Sequence, residues 1–511
     1  MGKFNRYEAF MNNWYTHILL LILTIPSFRL AIAEELPIVK EEIFQERLLR
    51  FYSSIKSHRK KYDKEVLYQD SIAPHQSFLD PRKVKKRLDS IHERYLSYEE
   101  IIEQKYKLES FTNTYKPEKP QGFVSLDIYL KRYKSVDVAL NWALTAGDVW
   151  LPSNRKIVLS KSISMPEGRK LASDGTATLV FDFEDDGEQR SLINILGSQD
   201  VVVKDLKITV QNSGRRYKSG IEIFNSKDIT IEGVEFVGVS NTSAIIRINS
   251  SHSVKVSENL IHDSFSTMPL RQITGIEVDE TRDDGVNSRN LKIKANLILG
   301  IMIDDSLFFN TELRKNGKAL LYETDGINLC STESKSFHSI ENNLIVDVGE
   351  GIDSFASYGL YRDNHIERTF SYGMKFIHSS SHNKIVNNTI RYTGLSAIVI
   401  SQGERWFTGN NLILNNSISF VNAFEINKFS EEIGLKQDIG AIKIEGFSQG
   451  NLILKNTVFS SVIDELYRAD IVCSWGVNSE GSSNFAMYNI ANEREFIAKQ
   501  SNTNCLTIIE N

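Results

Sequence analysis

The sequence predicts a β-solenoid, in which short strands coil and successive turns of the coil, here called rungs, stack on one another. The first observation is a repeated unit of a small residue, an aliphatic residue, an exposed-type residue and a second aliphatic residue. Full copies of this unit begin at Gly220, Gly275, Gly300, Gly326, Ala397 and Ala441, and looser copies at Gly351 and Gly373. A rung of this kind buries its apolar face only when neighbouring rungs stack on it.

The second observation is a unit of a polar residue, Asn, any residue and an aliphatic residue. Its asparagines are Asn259, Asn296, Asn343, Asn364, Asn388, Asn416 and Asn456. They are 37, 47, 21, 24, 28 and 40 residues apart, so the commonest period is near two dozen residues, with insertions between some rungs. We expect these asparagines to form an internal ladder, because their amides can satisfy backbone groups at a tight bend.

The alternation within the first unit points its central residue out of the coil. Because rungs stack at roughly 4.8 Å, these central residues should form one column. In chain order, the predicted column is Glu222, Arg247, Glu277, Met302, Asn328, Asp353, Lys375, Val399 and Lys443. Ionisable groups along one face suit a groove for a polysaccharide, and they equally suit a plain solvated strand face.

Composition is that of a globular protein and excludes several classes. Hydrophobic residues make up 41% of the chain and charged residues 24%, and only 9 of 511 residues are proline. Few prolines suit a coil whose strands must donate hydrogen bonds to their neighbours. A formal charge of −5 argues against a nucleic-acid partner. There is no phosphate-binding loop, zinc-type Cys/His cluster or Gly-x-Ser-x-Gly motif.

Residues 1–33 predict an export signal. Basic residues precede an apolar run that begins at Ile18 and is too short to span a bilayer, and Ala31 and Ala33 are small residues suited to cleavage. Arg29 lies between the apolar run and the cleavage site, so an uncleaved membrane anchor is the alternative. We expect an exported protein, periplasmic or secreted, with no membrane span after the signal is cleaved.

The rest of the chain divides into four segments. Apolar residues at helical spacing, such as Val84, Leu88 and Ile91, predict a helical N-terminal region that either caps the coil or docks a partner. The predicted segments are the helical region at 34–114, a linker at 115–124, the coil at 125–460, and a C-terminal cap or tail at 461–511.

Three cysteines do not define a disulfide framework. Cys473 and Cys505 lie in the same C-terminal stretch and could pair in an oxidising compartment. Cys330 follows a core strand and is expected to be a buried free thiol.

The start of the coil resembles a known superfamily. An amphipathic helix at 137–147 is followed by Val149-Trp-Leu-Pro152, Ile157-Val-Leu159 and Met165-Pro-Glu-Gly168. This order resembles the opening of pectin-lyase-like right-handed parallel β-helix proteins, and the resemblance covers about residues 125–460. It implies an all-β, right-handed parallel β-helix. It does not imply one reaction, because the superfamily includes pectate and alginate lyases, mannuronan epimerases, polygalacturonases and phage tailspikes.

Three neighbouring rungs carry unlike titratable groups close together. They contribute Asp325, Asp353, Lys375, His378 and Tyr372, which are the predicted catalytic residues. Asp353 and Lys375 are successive members of the outward column, so each should shift the pKa of the other. Insertions beside these rungs, especially residues 304–322, suggest a cleft.

Two superfamily patterns resemble these rungs in part. Thr324-Asp325 matches part of the polygalacturonase Asn-Thr-Asp motif, whereas Glu350-Gly351 stands at the Asp-Asp pair and Tyr372 at the motif histidine. The aspartate of the mannuronan epimerase Asp-Pro-His motif corresponds to Asp353, while Ser and Phe replace Pro-His.

These residues suit lyase or epimerase chemistry on a uronate, with a hydrolase as the alternative. Lys375 with Asp353 would neutralise the substrate carboxylate, His378 or a deprotonated Lys375 would be the base, and Tyr372 the acid. In the hydrolase, Asp325 would pair with Glu350 or Asp353 as acid and base. A third hypothesis is a non-catalytic glycan-binding or envelope-assembly protein.

The expected partner is an anionic polysaccharide, and the sequence does not predict the oligomeric state. The predicted substrate-binding residues are Arg247, Arg271, Glu277, Asn328, Glu350, Arg405 and Trp406. Arginine beside an aromatic ring is a common pair for holding a charged sugar. We expect no organic cofactor and no protein-bound metal site, with Ca²⁺ bridging a uronate to Glu277, Asp279 and Glu280 as the open alternative.

Overall fold

The computed structural model places three long parallel sheets around one axis. It describes residues 119–184, 188–266, 273–279, 287–303, 324–330, 336–369, 371–401, 408–421, 439–446, 448–459, 469–474, 484–487, 489–491, 498–500 and 505–509. The predicted signal, the predicted helical region at 34–114 and the first residues of the linker lie outside these ranges. Among the described residues, no helix is long and apolar enough to cross a membrane.

Sheet A has the following strands in spatial order: Val124–Ser125, Val149–Trp150, Lys170–Ala172, Val202–Lys204, Thr230–Glu232, Lys255–Ser257, Lys292–Lys294, Ser339–Glu341, Leu360–Arg362, Lys384–Val386, Leu412–Leu414, Leu452–Leu454, Asn484–Met487 and Leu506–Ile509.

Sheet B has these strands, again in spatial order: Lys156–Leu159, Thr178–Phe181, Lys207–Val210, Glu235–Val237, Leu260–Ser266, Leu297–Ile303, Leu344–Val348, His365–Thr369, Thr389–Thr393, Ser417–Val421, Thr457–Phe459 and Ile490–Ala491.

Sheet C carries the predicted outward column, and its strands in spatial order are Ile163–Ser164, Ile193–Leu196, Ser219–Phe224, Ala244–Asn249, Thr274–Val278, Asp325–Leu329, Glu350–Ser354, Met374–Phe376, Ile398–Ser401, Gly440–Glu445, Ala469–Ser474 and Ala498–Gln500.

Each rung passes through sheets B, C and A in turn, and every strand pairs in parallel with strands of the adjacent rungs. The predicted right-handed parallel β-helix is therefore confirmed. The core lies inside the coil, where aliphatic side chains stack in rows such as Ile221, Ile246 and Ile276, all fully buried. Burying each of these side chains contributes about 1.5 to 3 kcal/mol.

Two short helices close the N-terminal end of the coil. Helix α1 is Leu126–Arg132 and helix α2 is Val136–Ala146, which confirms the helix expected at 137–147. The side chain of Ser135 accepts a hydrogen bond from the Val138 N–H and caps α2. One face of α2, including Leu140 and Leu144, is buried in the core.

The asparagine ladder predicted at the bend between sheets A and B is confirmed. Asn Nδ2 of each rung donates to Asn Oδ1 of the next at 2.8 to 3.0 Å, from Asn259 through Asn456. The ladder continues to Asn489. A second ladder, which the sequence reading missed, joins Asn383, Asn411, Asn451 and Asn484 at the bend between sheets C and A.

The coil extends beyond the predicted boundary at residue 460. Strands within 461–511 continue all three sheets, so the stretch expected to be a cap or tail contains further rungs. Insertions obscure the repeat there, because the described rungs are separated by long stretches of chain. Cys473 and Cys505 form a disulfide inside these last rungs, and Cys330 is free.

Candidate functional site

The outward column lies on sheet C, and strand register fixes its members. Successive partners are Glu222, Arg247, Glu277, Asn328, Asp353, Lys375, Val399 and Lys443. The placement of Met302 in this column was wrong. Met302 pairs with Phe265 at the end of a sheet B strand, and the next described strand of sheet C begins at Asp325.

A second row of outward side chains runs beside this column. Asn328 Nδ2 donates to Asp325 Oδ2 at 2.6 Å, although residues three apart in a regular strand point to opposite faces. Gly326 lies between them, and a Cβ there would be 2.5 Å from Ile345 Cγ2, so only glycine fits the inward position. This local departure from alternation places Asp325 and, one rung on, Glu350 on the outer face.

Lys375 joins the two rows. Its Nζ lies 2.6 Å from Glu350 Oε2 and 3.1 Å from Asp353 Oδ2. The side chains of Lys375, Glu350 and Asp353 are only 15%, 3% and 8% exposed. The lysine is therefore held by two carboxylates of the preceding rung in a largely dry environment.

Asp325 completes a cluster of three carboxyl groups around one ammonium group. Burial, together with the charges of Glu350 and Asp353, raises the pKa of Asp325 well above its usual range. The amide of Asn328 and the charge of Lys375 only partly oppose this shift. Because one cation cannot compensate three buried carboxylates, the arrangement favours a neutral Asp325.

The charged forms of Lys375 and its partners depend on one another. Burial alone would lower the pKa of Lys375, but the charges of Asp353, Glu350 and Asp325 outweigh it and raise that pKa well above the usual value. Burial raises the pKa of Asp353 despite the opposing charge of Lys375. These surroundings stabilise the ammonium form, so they disfavour the deprotonated Lys375 base that the sequence left open.

The remaining predicted catalytic residues lie around this cluster. The ring centroid of Tyr372 is 6.0 Å from Lys375 Nζ. The ring of His378 makes an edge contact with Phe355, with centroids 4.5 Å apart, and it partly opposes the burial that raises the pKa of Asp353. The structure thus brings Asp325, Asp353, Lys375, Tyr372 and His378 to one region.

The structure places only some of the predicted substrate-binding residues in the cluster. Asn328 and Glu350 belong to the cluster, whereas Arg247 Nε and Glu277 Oε2 lie 3.4 Å apart in a largely buried pair on the two rungs that precede it. Arg271, Arg405 and Trp406 lie outside the described residues, as does the insertion at 304–322.

Asp279, one of the residues proposed to bind calcium, is engaged in hydrogen bonds within the chain. Both oxygens of Asp279 accept hydrogen bonds, from the Ser250 N–H and from the Ser288 N–H and hydroxyl. Glu280 lies outside the described residues. Within the described part of the chain, no group of three or more His, Cys, Asp and Glu side chains is arranged to hold a metal ion. Calcium bridging remains an untested prediction.

Sequence reasoning assigned Glu350 to substrate binding and did not expect it to hold Lys375. The signal was present, since Asp325, Glu350 and Tyr372 each stand directly before the glycine of a repeat unit. Two further contacts were not expected. Ser371 Oγ lies 3.4 Å from Glu350 Oε1, and Cys330 Sγ donates to Asn328 Oδ1 at 2.8 Å.

Comparison with known proteins places this geometry in a fold class. Residues 199–415 match the family model described as periplasmic copper-binding protein NosD. The A-module of the Azotobacter vinelandii mannuronan C-5 epimerase AlgE4 has a similar structure, with a TM-score of 0.53 and 13% sequence identity over 73% of this chain and 96% of that module. The chain has the pectin-lyase-like right-handed parallel β-helix fold.

Two further solved structures are similar at lower TM-scores. The AlgE6 A-module of Azotobacter vinelandii gives a TM-score of 0.49 at 12% identity, over 74% of this chain and 95% of that module. The surface adhesin PfbA of Streptococcus pneumoniae gives 0.43 at 13% identity, over 76% and 99%. A search of curated protein sequences returned no significant match.

Proposed function

We propose that this chain is an exported enzyme that cleaves or epimerises an anionic polysaccharide containing uronate residues. The main support is a buried cluster of titratable residues on adjacent rungs, namely Asp325, Glu350, Asp353 and Lys375. Tyr372 and His378 flank this cluster. The epimerase activity named for the AlgE4 module agrees with this proposal. The periplasmic location in the matched family description agrees with export to the periplasm or beyond.

The first requirement of either reaction is neutralisation of the substrate carboxylate. Removing the proton beside a carboxylate develops negative charge that the site must stabilise. A neutral Asp325 can donate a hydrogen bond to a uronate carboxylate, and the Lys375 ammonium supplies positive charge two rungs away. Glu350 and Asp353 orient that ammonium and keep it protonated.

The second requirement is a base and an acid. His378 would take the proton from the sugar carbon that bears the carboxylate. In cleavage, Tyr372 would give its phenolic proton to the departing glycosidic oxygen, leaving an unsaturated uronate. In epimerisation, Tyr372 would instead give its phenolic proton to the same carbon from the opposite face of the ring, so no bond of the polymer would break.

Product analysis tests the proposal. The protein would be incubated with alginate, pectate and envelope uronate polysaccharides, followed by ultraviolet absorbance for unsaturated uronates and proton NMR for epimerisation. We expect one of these signals on at least one polymer, and its loss in Asp353→Asn. No change in either signal on any uronate polymer would contradict the proposal.

One observation favours inverting hydrolysis as a second candidate. The environment of Asp325 favours a neutral acid, while Glu350 bonds to Lys375 as a carboxylate acceptor. A pair of carboxyl groups held in different protonation states is the pattern of an acid and a base. This candidate predicts new reducing ends with no unsaturated product, and full activity in Asp325→Asn would exclude it.

We assign no copper role to this chain. Copper favours thiolate, thioether and imidazole ligands. The described residues do not gather such side chains into a set that could hold a metal ion. The proposed partner is therefore the anionic polysaccharide alone, with no nucleic acid.

A further inference from the structure

Three aromatic side chains stack at the corner where the chain passes from sheet C to sheet A. The ring centroids of Phe337 and Tyr358 are 5.6 Å apart with planes tilted by 44°, and those of Tyr358 and His382 are 4.6 Å apart with planes parallel within 1°. Phe337 is 52% exposed and Tyr358 is 37% exposed. This aromatic strip is therefore open to solvent.

The backbone at these three positions is strained. Phe337, Tyr358 and His382 have φ of +52°, +60° and +59°, in the left-handed region. The same corner in flanking rungs carries Asn290 and Asn410, with φ of +55° and +54°. A bulky residue in this conformation costs about 1 to 2 kcal/mol, whereas asparagine adopts it readily. Other described residues also have positive φ, Tyr392 and Phe420 among them, so this corner is distinguished by having three such aromatic residues on successive rungs.

The strip occupies the same rungs as the candidate site. The strand with Asp325 leads to Phe337, the strand with Asp353 leads to Tyr358, and the strand with Lys375 leads to His382. The chain of the third rung passes through His378 on its way to His382. No other rung at this corner carries an aromatic residue in the left-handed conformation among the described residues.

We infer that Phe337, Tyr358 and His382 bind a sugar ring of the same glycan that reaches the candidate site. The inference rests on the proposed function for the identity of the glycan. Phe337 is the anchor, because its ring is tilted relative to that of Tyr358 and is more exposed than it. The apolar face of a pyranose matches an aromatic ring, and aromatic side chains with a few polar groups are typical of ligand sites.

The size of the strip favours a sugar over a protein partner. Three rungs span about 10 Å, which fits one or two sugar rings. A stable protein interface needs about 800 Å² on each partner, far more than three side chains provide.

Equilibrium binding measurements test this inference independently of any enzymatic turnover. Affinity for short oligomers of mannuronate, guluronate and galacturonate would be measured by calorimetry with Phe337→Asn and Tyr358→Asn. Asparagine is chosen because Asn290 and Asn410 occupy the same corner position, so both variants should fold with an equal or higher melting temperature. Tyr392→Asn is the matched control, since Tyr392 also has positive φ and stacks on Phe420 at 4.4 Å, on sheet B.

We expect Phe337→Asn to raise the Kd about five- to tenfold, Tyr358→Asn to raise it less, and Tyr392→Asn to leave it unchanged. An unchanged Kd in Phe337→Asn, an equal loss in Tyr392→Asn, or no binding of any oligomer by the wild-type chain would overturn the inference. Binding that depends on Phe337 without any turnover would leave the strip in place and refute the proposed enzyme. Turnover together with binding that does not depend on Phe337 would support the proposed enzyme and refute the role of the strip.

Discussion

Lys375 Nζ lies 2.6 Å from Glu350 Oε2 across adjacent rungs, and the same ammonium lies 3.1 Å from Asp353. Both carboxylates come from one strand, because Gly351 allows residues three apart to share the outer face. A lysine in this position differs from a surface lysine, since its removal leaves two buried carboxylates without compensation.

The first prediction concerns Lys375→Met. Removing one partner of a buried ion pair costs about 3 to 5 kcal/mol of unfolding free energy, because the remaining charges stay desolvated. Urea denaturation measures this loss. Lys227→Met is the control, since Lys227 and its partner Asp228 are 60% and 43% exposed. Equal losses in the two variants would mean that burial of the Lys375 cluster has no energetic consequence.

The second prediction is that neutralising the whole cluster restores stability. Lys375→Met combined with Glu350→Gln and Asp353→Asn leaves no uncompensated charge among these three residues, so its unfolding free energy should return to within about 2 kcal/mol of the wild type. The same denaturation measurement applies. A triple variant as unstable as Lys375→Met alone would show that packing, and not charge, determines the loss.

The third prediction concerns pH and Asp325. The pKa of Asp325 is raised in the folded chain, so its contribution to stability is fully present below the unfolded value of about 4 and is lost as pH rises through the folded value. Asp325→Asn does not ionise and can still accept from Asn328. The melting temperature of this variant, relative to that of the wild type, should therefore increase as pH rises above 4. Parallel curves would contradict the raised pKa.

Glu235 provides a contrast of opposite sign. Its pKa is lowered to about 2: burial opposes the shift, but hydrogen bonds and charge from His262 and Lys207 outweigh it. Its stabilisation is therefore present above the unfolded value of about 4.3 and is lost as pH falls through about 2. Glu235→Gln should cost roughly 3 kcal/mol at neutral pH and progressively less in acid. A cost that stays constant with pH would point to packing instead.

The fifth prediction concerns the asparagine ladder. Asn343 Oδ1 accepts from the N–H and amide of Asn296, and its Nδ2 donates to Ile293 O and Asn364. Asn343→Ala should cost about 3 kcal/mol, because buried backbone and amide groups lose their partners. Asn415→Gly removes only an exposed amide contact, because glycine readily adopts the φ of +55° found at this position, and it should cost less than about 1 kcal/mol. Similar melting temperatures for both variants would contradict the ladder's role.

Repeat spacing was sufficient to predict the coil, the ladder and most of the outward column. Period-two alternation decides which side chains are inside, and this rule holds wherever strands are regular. It failed at Met302, because its repeat unit ends a sheet B strand. The end of the coil was missed because the units after residue 460 are separated by insertions.

The sequence predicted which residues form the candidate site, but it predicted only part of their arrangement. Asp353 and Lys375 were expected to be neighbours, since both are central residues of successive units. The position of Glu350 beside Lys375 depends on the glycine that interrupts alternation, and burial of the lysine depends on tertiary packing. Neither follows from spacing alone, so spacing predicted only that Asp353 and Lys375 would lie side by side and shift each other's pKa.

The most direct test compares turnover by the wild type and by the triple variant Glu350→Gln, Asp353→Asn and Lys375→Met at matched folded fraction. Substrates are alginate, pectate and envelope uronate polymers, with unsaturated uronates and epimerised residues as products. The account predicts product from the wild type on at least one polymer and a rate at least about 100-fold lower in the triple variant, since the charges act in the transition state. Equal rates in the two proteins, or no product from the wild type on any polymer, would contradict it.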